Sequence, residues 1–133
     1  MTVHLARVYT EPGPDDGRRV LADRLWPRGV RKDDPRVGVW LRDVAPSTEL
    51  RRWYAHDPDR TAEFGERYRA ELETPGPAAD ALAELRDLAR EGTVTLVTST
   101  RELDGSHLVV LARLLREPSG EEGPAAEEGL SWP

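Results

Sequence analysis

Thr93-Val94-Thr95-Leu96-Val97-Thr98 is a run of β-branched and apolar residues that decides the fold class. It is too short for a helix, and β-branched residues favour strands. No polar residue with a long side chain interrupts it, as expected of a strand covered on both faces. Before it, Ala78, Ala81, Leu82, Leu85, Leu88 and Ala89 recur with helical spacing, and Gly92 stands as the expected C-terminal cap. After it, Gly105-Ser106 opens a helix that turns Leu108, Leu111, Ala112 and Leu115 to one side. A helix, a buried strand and a second helix make an α/β unit with a mainly parallel sheet.

The same reading extends towards the N-terminus. His4 to Tyr9 is a first strand, and Arg18 to Asp23 is a second with the apolar run Val20-Leu21-Ala22. Glu11 to Gly17, with two prolines and two glycines, is a loop between them. Val37 to Leu41 is a short third strand bracketed by Pro35 and Pro46. Ser47 or Thr48 caps a helix that ends near Tyr54, and Asp57-Pro58 caps the next. Phe64, Tyr68 and Leu72 form the apolar stripe of that helix, and Thr74-Pro75-Gly76-Pro77 breaks it. The expectation is a small three-layer α/β domain with about four strands, over residues 1–116.

Residues 117–133 are expected to be an acidic, flexible tail. They carry Glu117, Glu121, Glu122, Glu127 and Glu128 and no base. Setting those five aside, the net charge of −6 becomes −1 on residues 1–116, so no global basic field exists to recruit nucleic acid. Trp132 is the one large aromatic of the tail. The chain of 133 residues has no cysteine, which excludes disulfides and thiol chemistry and fits the cytoplasm. No apolar run reaches the roughly 20 residues of a membrane helix. The three histidines show no metal-ligand spacing, and neither a P-loop nor a dinucleotide fingerprint is present. The sequence names no cofactor.

Two loops leave strand ends on what a parallel sheet makes a common edge: Arg24 to Gly29, and Ser99 to Gly105. Ligands of open α/β sheets bind at that edge. Arg24 and Arg28 are suited to gripping an anion, Trp26 to stacking on a ring, and Ser99 and Arg101 lie within reach. His107 is the candidate general acid or base, because histidine titrates near neutral pH. Asp23 is its partner in proton transfer or, on the reading the sequence favours, a structural carboxylate paired with Arg24 or capping the loop. His56 and Asp57 are secondary candidates, with Asp57 better explained as a helix cap. His4 is expected to be structural.

The stretches Arg7-Val8-Tyr9, Asp16-Gly17 and Val20 to Gly29 resemble the DUF488 family in its YeaO-like branch. So do Trp40 to Tyr54, His56-Asp57-Pro58, Phe64, Arg67-Tyr68 and Glu71-Leu72. The resemblance covers residues 5 to about 116 and implies a bacterial protein with a small α/β domain. It implies no reaction. The segment Thr98 to His107 departs from the family pattern, and only His107 clearly matches it. Two readings stand. One is a small enzyme whose cleft of Arg24, Trp26, Arg28, His107 and Asp23 takes an anionic or heteroaromatic metabolite. The other is a non-catalytic module that binds a ligand or a protein, with the dense Trp and Arg of Leu41 to Tyr54 as its contact surface.

Overall fold

The computed structural model describes residues 2–117. The expectations on the tail beyond residue 117, Trp132 included, lie outside the described residues. Glu117 itself is held: its carboxylate accepts from both terminal nitrogens of Arg69, at 3.1 and 2.6 Å.

Four strands form one sheet: β1 (Val3–Arg7), β2 (Arg18–Leu21), β3 (Val39–Trp40) and β4 (Val94–Thr98). Their order is β1-β4-β2-β3 and every pairing is parallel. β4 is therefore internal, and all five of its residues are buried. This explains its unbroken β-branched and apolar run. Leu21, Leu96 and Val97 have no solvent exposure. β1, β2 and β3 each end sooner than their sequence patterns suggest, because the ladder stops where the chain turns into the loops of the sheet edge.

The helices are α1 (Thr48–Tyr54), α2 (Thr61–Glu73), α3 (Pro77–Glu91) and α4 (His107–Arg116). Ser47 caps α1 by accepting from the Leu50 N–H. Asp57 caps a 3-10 turn at Pro58–Arg60, and α2 starts after it. Gly92 follows α3 with φ 169°, an extended conformation open to any residue rather than the left-handed cap expected.

Alternation along the strands separates two cores. Val20, Ala22, Val94 and Leu96 face the stripes of the helices, including Phe64, Tyr68, Leu85, Leu108 and Leu111. Leu21 and Val97 face the other way, onto Val8, Val30, Val37, Trp26 and Trp40. The second cluster contains no helical residue. The domain thus has three layers, and the third is irregular chain rather than helix.

Arg19 organises that third layer. It shares the strand face of Leu21 and is only 4% exposed. Its guanidinium donates to the carbonyls of Arg36 (2.7 Å), Thr10 (2.9 Å) and Val8 (3.4 Å) and pairs with Asp16 at 2.8 Å. A buried charge is tolerated only when its donors are satisfied, and here the loops do so with backbone oxygens.

Candidate functional site at the C-terminal edge of the sheet

β2 and β4 pair Leu21 with Val97. Continuing that register by two residues brings Asp23 beside Ser99. The Asp23 carboxylate is the hub of this edge. Oδ1 accepts from Thr98 Oγ1 at 2.7 Å; Oδ2 accepts from the Ser99 N–H at 2.8 Å and Ser99 Oγ at 3.0 Å. His107 Nε2 lies 3.4 Å from Oδ1. Burial raises the pKa of this carboxyl, but the hydrogen bonds and charge of His107, Ser99 and Thr98 outweigh it and hold the group below its ordinary value.

His107 is the first residue of α4 and is buried. Nε2 lies 2.7 Å from the Ala22 carbonyl. Both of its neighbours, that carbonyl and the Asp23 carboxylate, are acceptors, so Nε2 carries a proton and donates. Ser106 is occupied as well. Its hydroxyl donates to the Leu103 carbonyl at 2.7 Å and accepts from the Leu108 N–H as the cap of α4. Ser99 bonds to Asp23 and His107 Nε2 lies against it, so the carboxylate sits between hydroxyl and imidazole. In a nucleophilic triad the imidazole takes that middle place.

A cleft of about 120 Å³ opens over this edge. Asp23, Arg24, Arg51, Tyr54, Ser99 and His107 are among the residues that line it, with Pro46, His56 and Phe64. Tyr54 and Phe64 stack with ring centroids 4.2 Å apart, and the Tyr54 hydroxyl donates to the Gly105 carbonyl at 3.1 Å. The α1 C-terminus carries His56 to the cleft by an uncommon route. Ala55 and His56 both have positive φ, 47° and 56°. Residues other than glycine pay about 1–2 kcal/mol in that region, and such strain gathers at functional sites.

The cleft does not gather every expected residue. Arg24 lines it, but Nε donates to the Pro46 carbonyl at 2.9 Å and a terminal nitrogen to that of Ala45 at 3.1 Å. Those two donors hold the turn into α1. Trp26 belongs to the third layer: its indole packs edge-on against Trp40 and Nε1 donates to the Val30 carbonyl at 2.7 Å. That anchor takes the chain away from the cleft. Arg28 follows it and is exposed, outside the lining. Arg101 is exposed beside a separate shallow depression with Arg7 and Glu102. Asp57 accepts from the Asp59 N–H as a cap and does not line the cleft. Arg51 and Tyr54 do line it; the sequence places them in the Leu41 to Tyr54 stretch of the binding-module reading, not in the cleft. The available signal was their i, i+3 spacing on α1, which places both on one helix face. Among the described residues no group of three acidic or histidine side chains is placed to hold a metal ion. No described helix is long and apolar enough to cross a membrane.

A small parallel α/β domain with a polar cleft at its strand ends is the class that fold and site define. The chain belongs to the DUF488 family: the family profile described as "Inactive DUF488-N3 subclade" matches residues 2–132. An uncharacterized protein of Mycobacterium tuberculosis strain H37Rv is 57% identical over 113 residues, covering 85% of this chain and 92% of that protein. The uncharacterized protein YeaO of Escherichia coli K12 is 38% identical over 116 residues, covering 87% of this chain and 98% of that protein. No solved structure matches.

Proposed function

We propose that this protein is a non-catalytic binding module whose cleft takes a small anionic or heteroaromatic compound. One observation carries the reading: Asp23 lies between Ser99 and His107 and accepts three hydrogen bonds from Thr98 and Ser99. A carboxylate so engaged, with its pKa lowered, is a poor base. Ser106, the other hydroxyl near His107, is spent on capping. Binding needs less. Tyr54 and Phe64 offer an aromatic wall, and Arg51 and His56 offer donors at the rim. The word "inactive" in the family description agrees with this reading. The enzymatic reading of His107 and Asp23 comes second, because no activated nucleophile accompanies them among the described residues.

The test is a solution titration of the full chain with nicotinate, a ring bearing a carboxylate. We expect saturable amide shifts at Ser99, Gly105 and His107, with nicotinate recovered unchanged. Shifts confined to other surfaces would remove the cleft from the account, and conversion of the compound would restore the enzymatic reading.

A further inference from the structure

We propose that the cleft is the ring-binding half of a two-part site, and that an adjoining arginine groove takes the phosphate of a nucleotide-like ligand. This inference rests on the reading of the cleft as a binding site. The cleft, at about 120 Å³, is well below the roughly 300 Å³ or more of a pocket that encloses a whole small ligand. It accommodates one part of such a molecule, and the remainder must lie outside. The neighbouring surface is a groove lined by Arg24, Leu25, Arg42, Thr48, Arg51 and Arg52. Four of those six are arginines and none is a carboxylate.

The groove and the cleft share a wall. Arg24, Leu25 and Arg51 line both. The four cations are not equally available. Arg24 is engaged with the Ala45 and Pro46 carbonyls and lies 3.9 Å from Asp43, the nearest acid. Arg42 sits over the Trp40 ring at 5.2 Å. Arg51 and Arg52 are exposed, and among the described residues neither guanidinium makes a hydrogen bond or an ion pair. Two adjacent unpaired forks near a third cation repel one another, and a phosphate would relieve that while matching their planar donor geometry. Leu25, 72% exposed, crowns the shared wall. A single exposed leucine is ordinary, but here it stands where the linking part of the ligand would pass. Beyond the left-handed turn at Ala55 and His56, His56 lines the cleft and not the groove.

The experiment is calorimetry on the full chain with three probes: AMP, adenosine and inorganic phosphate. AMP should bind at least about tenfold tighter than either part alone, as expected when a charge-assisted pair is added to ring burial. The exposed double variant R42Q/R52Q, at groove arginines that do not line the cleft, should bring AMP towards the affinity of adenosine and leave adenosine unchanged. AMP shifting the amides of both Ser99 and Arg51 supplies a readout that needs no variant. Equal affinities for AMP and adenosine would overturn the proposal while leaving the cleft reading intact. Equal affinities for AMP and phosphate would place the ring outside the cleft and overturn it too. If none of the three binds, the two-part site is wrong, and the nicotinate titration then decides the cleft separately.

Discussion

Asp23 accepts hydrogen bonds on both oxygens, and its protonation should register in the stability of the domain. Its folded-state pKa lies below the ordinary value of 3.8. Stabilisation from a depressed carboxyl is present above the unfolded-state value and is lost as pH falls through the folded-state one. Asp16, held down by Arg19, and Asp34, lowered to about 2 by Arg36, act in the same direction. Urea unfolding of the wild type should therefore show stability falling from about pH 4 downward. Asp23→Asn turns one acceptor into a donor facing the Ser99 or Thr98 donors. It should cost about 2–4 kcal/mol at pH 7 and flatten, without abolishing, the acid limb of that profile. An unchanged acid limb would mean that Asp23 is not the hub described. Arg19→Met strips four acceptors of their donor and should cost about 3–5 kcal/mol, with Arg19→Lys recovering only part. Chemical denaturation at neutral pH decides between those outcomes.

At the scale of elements, two backbone positions are sensitive in opposite senses. A Cβ at Gly38 would lie 2.4 Å from the Arg19 carbonyl, so β3 and β2 cannot keep their present spacing in Gly38→Ala. Forcing them apart should lower stability by about 1–3 kcal/mol. Ala55 sits at the left-handed end of α1 with φ 47°. Ala55→Gly should raise stability by up to about 1 kcal/mol, offset in part by the freer unfolded chain. Thermal unfolding of both variants checks the pair. The same elements show what sequence reveals. β4 and the stripes of α2, α3 and α4 were legible, because burial on both faces or along one face leaves a periodic mark. The capping roles of Ser47 and Asp57 were legible because a short polar side chain before a helix has a local use. Arg19 was not: in Arg18-Arg19 nothing local distinguishes the solvated arginine from the buried one. Trp26 and Arg28 were assigned to the cleft from their place after a strand. Their actual course depends on a distant partner, Trp40, and on the Val30 carbonyl. Long-range packing of that kind has no periodic signature.

The whole molecule divides its labour between its two faces. The helical face supplies the larger core, with α1 and α4 delivering Tyr54, His56 and His107 to the strand ends. The loop face, pinned by Arg19 and Trp26, fixes the strand from which Asp23 projects. Net charge gives no hint of the site. The basic groove is a local feature of one edge on a chain of charge −6. A crystal of the full chain grown with nicotinate shows whether the strand-end cleft binds its ligand without transforming it. The expected result is an intact ring in the cleft between Tyr54, His56 and Ser99, with Asp23 still bonded to Ser99 and beside His107. A ring seated on another surface, or one chemically altered or joined to Ser99 or His107, would contradict it.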